Sequence, residues 1–278
     1  GALGDPQDRL PPVIHVAGTN GKGSTIAFIR AIAEAAGLRA HAFTKPHLFS
    51  LGERFTVTGA AADDDALIDI AEQIAAIAPD LTQFDAQVAA AFFLFSSHPA
   101  DLVLLETGMG GRDDSTNVIA HPALSVIAPI ALDHQDALGP RLEDIAAHKA
   151  GILKPGVPAI IARQENAARE IIEAEAERIG APLFRAGVEW DAYANAGRLV
   201  VQTETRALDL PLPALAGAAP TVAPGDGTVH LGLVLETNNP LSCTVGYEGT
   251  MAILDEMKRK DPNFDDTTQN FPLNTAAN

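Results

Sequence analysis

Apolar positions in this chain fall into two alternating patterns. Short continuous runs appear at Val13–Ala17, Ala40–Thr44, Asp101–Glu106, Ala123–Ile130 and Val157–Ala162. Such runs read as strands buried on both faces. The segments between them carry helical spacing instead. Ser24–Ala36 places Ile26, Ile29, Ile32 and Ala33 on one stripe, with Gly37 as its terminator. Asp63–Ala78 opens on three aspartates, which suit the positive end of a helix dipole. Asp85–Ser97 and Leu142–Ala150 read as further helices, and Glu165–Ile179 as a charged surface helix. This alternation predicts an α/β fold: a mostly parallel sheet with helices on both faces.

Such sheets hold ligands at the carboxyl ends of their strands. The residues able to do chemistry fall there: a glycine loop after the first run, Lys45–His47 after the second, Glu106 after another, and Asp133–His134 after a fourth. From Ala218 the character changes. Ala218–Thr228 is rich in proline and glycine like a linker, Glu248–Lys260 is amphipathic, and Asp265–Asn278 is polar and expected to be disordered. The expected organisation is therefore a nucleotide-binding domain over 1–217 and a divergent, partly disordered tail over 218–278.

Composition narrows the ligands. A formal net charge of −17 opposes binding to nucleic acid or to anionic membranes, so an anionic ligand must be held by local donors and cations. No apolar run approaches the about 18 residues of a membrane span, and the first residues lack the layout of a secretion signal. The single cysteine, Cys243, excludes an internal disulfide and fits a reducing cytoplasm.

The loop His15–Thr25 reads HVAGTNGKGST. A strand feeding a glycine loop that opens a helix gathers backbone N–H groups at the positive end of the helix dipole, where phosphate oxygens bind. Gly18, Thr19, Asn20, Gly21 and Gly23 would supply the cradle. Lys22 would reach the terminal phosphates, and Ser24 or Thr25 would ligate Mg²⁺. The strict phosphate-loop pattern is not met, because Val16 stands at the first glycine position and Gly23 follows the lysine. An ordinary strand-to-helix turn is the competing reading of the residues alone.

Taken with KPHL (Lys45–Leu48), LLETGMGGRDDSTNV (Leu104–Val118), LDHQDALG (Leu132–Gly139) and HKAGILKPGVP (His148–Pro158), the loop resembles the folylpolyglutamate synthase/dihydrofolate synthase family within the Mur ligases. The likeness runs from Pro12 to Gly217. It implies an ATP-dependent ligase, with ATP and Mg²⁺ as cofactors and dihydropteroate or folate and L-glutamate as substrates. In that chemistry the substrate carboxylate becomes an acyl phosphate, which the glutamate amine attacks. The resemblance also implies a monomer, with Ser24, Glu106 and His134 as metal ligands and Lys22, Lys149 and His134 as the catalytic set. Lys149 would be carbamylated. Lys45, His47 and Arg112 would face substrate or phosphate, and Gly110–Arg112, Asp114 and Asn117 would pack around them.

Several positions depart from the family pattern. Lys45 replaces a metal-binding serine, and an ammonium cannot ligate a cation but can meet a phosphate. His148 replaces a glutamate, Asp113 an apolar residue and Ser115 an alanine. After Gly217 the adenine-seating segment of the family is missing, and about 60 residues are too few for its second α/β domain. Two other readings compete: a Mur-type ligase acting on another carboxylate, against which Gly23 argues, and a truncated or catalytically impaired nucleotide-binding domain.

Overall fold

A computed structural model describes residues 3–47, 49–196 and 198–211. The expected linker, amphipathic segment and polar end, and the domain boundary at 217, lie outside the described residues, as does Leu48 of the KPHL motif.

The principal sheet has eight strands: β1 (Val13–Ala17), β2 (Ala40–Phe43), β3 (Phe55–Val57), β4 (Ala60–Ala61), β5 (Leu102–Glu106), β6 (Leu124–Ile127), β7 (Ala159–Ile161) and β8 (Leu183–Arg185). Their order is β4-β3-β2-β5-β1-β6-β7-β8. The six from β2 to β8 pair in parallel, while β3 and β4 fold back antiparallel at one edge. The glycine loop therefore leaves a central strand, flanked by β5 and β6.

Six helices complete the layers: α1 (Lys22–Ala35), α2 (Asp64–Ile77), α3 (Gln83–Ser97), α4 (Gln135–Leu138), α5 (Leu142–Ala150) and α6 (Asn166–Ile179). Side chains alternate across the sheet. Ile14 and Val16 of β1 join Ile26, Ile29 and Ala33 of α1 on one face. Val13 points the other way, into a cluster with α2 and α3, while Ala17 meets α5 and α6. Helices thus cover both faces, as the alternation predicts.

Four helix starts differ from the sequence expectation, by one or two residues, and capping accounts for those of α2 and α3. Asp63 precedes α2 rather than joining it, its carboxylate accepting from the Ala66 amide at 3.3 Å. Thr82 and Asp85 form a reciprocal box at the start of α3. Α1 begins at Lys22, because Gly21 adopts the left-handed conformation (φ 80°) that turns the chain into the helix.

A second sheet was not expected from the sequence. Its antiparallel strands β9 (Trp190–Asn195), β10 (Arg198–Thr203) and β11 (Ala207–Pro211) lie in the order β11-β10-β9. Trp190, Ala192, Leu199 and Val201 point inward and join the cluster formed with α1, while the residues between them, Asp191 and Val200, are only partly buried. Among the described residues no helix is long and apolar enough to cross a membrane.

Leu104 lies fully buried at the middle of β5, within the cluster that supports α1. Leu104→Ala should lower unfolding free energy by about 2–5 kcal/mol. Urea titration should show a lower midpoint at unchanged slope; an unchanged midpoint would mean that this cluster does not anchor the sheet.

Candidate functional site

The loop after β1 is held by the segment that follows β6. The amides of Thr19 and Asn20 donate to the Pro129 carbonyl at 2.9 and 3.2 Å. The Thr19 hydroxyl donates to the Ala131 carbonyl and accepts from its amide, both at 3.1 Å. Two of the amides assigned to the cradle are therefore spent on shaping the bend. What remains for an anion is the Gly21–Gly23 turn and the start of α1, where no side chain caps the helix. Gly18 makes the bend possible: at φ 150° a Cβ there would sit 2.7 Å from the Ala128 Cβ. At Gly23 a Cβ would meet only the Glu106 Oε2, at an ordinary 3.6 Å, so the resting packing does not itself require glycine there.

Two ammonium groups share one carbonyl of this bend. Lys149, buried on α5, donates to the Gly18 carbonyl at 2.8 Å. Lys22 donates to the same oxygen at 3.0 Å and to that of Thr19 at 3.2 Å. Burial and the neighbouring Lys22 charge, opposed by Asp133, depress the Lys149 pKa to about 7.

Glu106 ends β5 beneath the loop, 3% exposed. Its Oε1 lies 3.9 Å from the Lys22 ammonium, and its Oε2 accepts from the Lys45 amide at 3.1 Å. Burial pushes its pKa up, while Lys22 and the Lys45 amide hold it down. For Lys45, burial and Lys22 lower the ammonium's pKa, and Glu106 and Asp114 oppose them. Lys22, Lys45, Lys149 and Glu106 thus form one electrostatic unit.

The other expected residues lie further out. His47 is exposed, its Nδ1 accepting from Arg54 Nε at 2.9 Å, and Arg54 reaches Gln87 at 2.7 Å. His134 precedes α4 with φ 50° and stands half-exposed, its Nε2 3.5 Å from Asp133. Arg112 turns outward to Asp113 at 3.0 Å. Among the described residues no three His, Cys, Asp or Glu side chains are grouped to hold a metal. A hydroxyl and a carboxylate are nonetheless hard oxygen donors, which suits Mg²⁺ that takes its remaining ligands from phosphate and water.

Sequence reasoning missed the framework behind these groups. His15, fully buried in β1, sits with Nε2 2.8 Å from the Thr116 hydroxyl. That hydroxyl donates to Asp114 Oδ1 at 2.6 Å, so it accepts from His15. Burial holds the ring's pKa down to about 4 and keeps it neutral. Asp114 also accepts from the amides of Met109 at 2.7 Å and Thr116 at 3.0 Å. Ser115 donates to Asp85, the residue that caps α3. The one available signal was a histidine inside the apolar run Val13–Ala17.

The glycines of 108–112 serve close packing. A Cβ at Gly111 would lie 2.8 Å from the His148 carbonyl, and one at Gly151 would lie 2.3 Å from the Arg112 Cβ. The Arg112 amide donates to the His148 carbonyl at 2.7 Å, and Asn117 Nδ2 donates to the carbonyls of Arg112 and Gly151, each at 3.0 Å. Two departures from the family pattern meet at this seam: His148 Nδ1 lies 3.4 Å from Asp113.

Comparison with known proteins bears on the family and the fold. The family model of the Mur ligase middle domain matches residues 16–210. A dihydrofolate synthase/folylpolyglutamate synthase of Bacillus subtilis is 41% identical over 189 residues, covering 65% of this chain and 44% of that protein. An Escherichia coli FolC structure in complex with DHPP and ADP superposes with a TM-score of 0.75 at 32% identity, covering 90% of this chain and 56% of the other. A bifunctional folylpolyglutamate synthase/dihydrofolate synthase solved with Mn, AMPPNP and L-glutamate gives 0.70 at 36% identity, covering 76% and 52%. The chain spans less than half the length of the curated relatives it matches.

The Lys149 shift sets a pH dependence. Below pH 7 the lysine is charged in both folded and unfolded states, and folding bears the full cost of burying it. Between about 7 and the ordinary 10.5 the unfolded chain binds the extra proton, so stability rises with pH. Urea unfolding from pH 7 to 9 should show wild type gaining on Lys149→Met by up to about 1.4 kcal/mol per pH unit. A constant difference would refute the shift.

Proposed function

Because the chain belongs to the Mur ligase middle-domain family, we propose that it is the nucleotide-binding part of an ATP-dependent ligase joining L-glutamate to dihydropteroate or to a folate. The observation that carries this is the bend Gly18–Gly23, which opens an uncapped helix and lies between the ammonium groups of Lys22 and Lys149. Relatives named as dihydrofolate and folylpolyglutamate synthases support the substrate class.

In this reading the nucleotide's phosphates lie over the first turn of α1, with amides of Gly21–Gly23 directed at them. The Lys22 side chain gives up the Gly18 and Thr19 carbonyls and turns to the terminal phosphates. Ser24 and Glu106 hold Mg²⁺, with His134 as a further ligand from the start of α4. The bound ion neutralises phosphate charge. Lys45, His47 and Arg112 take the remaining contacts to phosphate and substrate.

The reaction proceeds in two displacements. The substrate carboxylate attacks the γ-phosphorus, ADP leaves, and an acyl phosphate forms. The glutamate amine then attacks the acyl carbon, loses a proton and expels phosphate. Neither step needs a protein nucleophile; positioning and charge neutralisation carry the rate. A Lys149 pKa of about 7 supplies neutral amine near neutral pH, the form that adds CO₂ to become a carbamate. That modification would turn a cation beside the phosphates into an anionic metal ligand.

A second reading keeps nucleotide binding without turnover by this chain alone. Lys45 and His148, which stand where the family carries a serine and a glutamate, favour it.

Lys22→Ala should weaken binding of the ATP analogue AMPPNP by about 100-fold, the loss of charged hydrogen bonds to phosphate. Calorimetric titration measures this, and unchanged affinity would refute the loop as the nucleotide site. Release of ADP that requires both dihydropteroate and glutamate would support the ligase; nucleotide binding without such release would support the second reading.

A further inference from the structure

Lys45 follows β2, at the sheet end where the glycine bend lies, and its main chain is already committed to Glu106 Oε2 at 3.1 Å. That bond anchors the residue against the buried carboxylate. Its half-buried ammonium lies in the field of Lys22 and Arg54, which repel it, and of Glu106 and Asp114, which attract it. Lys149 in turn feels both Lys22 and Lys45. The Lys22 and Lys149 ammonium groups thus meet at the bend, and Lys45 is tied to it through Glu106, the buried carboxylate that its amide shares with Lys22.

The two oxygens of that carboxylate are already engaged, one by the Lys22 charge at 3.9 Å and the other by the Lys45 amide. A divalent cation added there meets two resident positive charges. An anion added there is drawn by the same two, Lys22 and Lys45, in a chain whose net charge is −17. An ammonium offers three N–H donors and no lone pair, so Lys45 can bind a phosphate oxygen but cannot ligate a metal. The local charge balance selects polyphosphate more strongly than it selects a bare divalent ion.

Building on the nucleotide reading above, we propose that Lys45 is a polyphosphate ligand whose ammonium replaces part of the neutralisation a divalent cation at Glu106 would supply, so that this protein binds nucleotide with little dependence on metal. A serine at the same place contributes a hydroxyl and no charge, and hands that neutralisation back to the metal.

The test is AMPPNP binding by wild type, K45S, K45R and K45M, each titrated calorimetrically with excess Mg²⁺ and with excess EDTA, with Mn²⁺ binding to each nucleotide complex followed by electron paramagnetic resonance. Wild type and K45R should lose no more than about 10-fold in affinity in EDTA. K45S should lose a further about 10- to 100-fold in EDTA and recover in Mg²⁺. Mn²⁺ should bind the K45S complex more tightly than the wild-type complex. If K45S does not fold, K45M against K45R gives the same comparison of a neutral with a charged side chain. Equal metal dependence in the charged and neutral variants overturns the inference, as does an equal loss by the neutral variants with and without metal. Wild type that holds AMPPNP only with Mg²⁺ overturns the inference alone; wild type that holds none under either condition overturns the nucleotide site itself.

Discussion

One carbonyl oxygen, that of Gly18, organises the end of the sheet where the candidate site lies. Lys22 reaches it from α1 and Lys149 from α5, at 3.0 and 2.8 Å. A backbone carbonyl can accept both because it carries two lone pairs. It can be reached from both sides only because Gly18 lets the chain pass against Ala128 without a side chain. The bend, the first turn of α1 and the buried face of α5 are thereby tied to one point. The glycine bend is thus held by contacts among the chain's own groups.

Around that point the polar framework is interlocked rather than layered. His15 reaches from the strand feeding the bend to Thr116, and Thr116 to Asp114, whose other oxygen fixes the Met109 amide. The 108–118 loop is thus hung from the strand that leads into the glycine bend. The same loop is packed against α5 through Gly111 and Gly151, where no side chain larger than hydrogen fits. Asp113 and His148 stand together at this seam, so two positions far apart in the sequence meet in the fold.

Much of this was legible beforehand for definite reasons. Continuous apolar runs marked β1, β5 and β6, because strands buried on both faces leave no polar alternation to confuse them. The ends of β1, β2 and β5 then located the glycine bend, Lys45 and Glu106 by topology alone. The small sheet β9–β11 escaped because its inward residues, Trp190, Ala192, Leu199 and Val201, alternate with outward ones that include Val200 and Tyr193, and no long apolar run marks the strands. The start of α2 falls one residue after the expected one because Asp63 caps it, and that of α3 two residues before because the Thr82 cap sets the first turn at Gln83. The sharing of Gly18 by two lysines could not be read at all: residues 18 and 149 are brought together only by the sheet crossing between β1 and β6, and spacing along the chain carries no trace of it.

The resting arrangement is electrostatically unfavourable in a way that bears on what it does. Lys22, Lys45 and Lys149 repel one another, and the pKa values of Lys45 and Lys149 are pulled below the ordinary lysine range as a result of burial and that repulsion. Glu106 offsets part of the charge but is itself desolvated. A fold that only had to be stable would gain from replacing such a cluster with apolar side chains. An anion at the bend would change the balance: each charged lysine would exchange a repulsive neighbour for an attractive one, and that relief would become part of the affinity. By linkage, the same ligand must then stabilise the folded chain. Perturbed lysines gathered at the carboxyl end of a parallel sheet are thus better explained as preparation for an anionic ligand than as a device for holding the fold together.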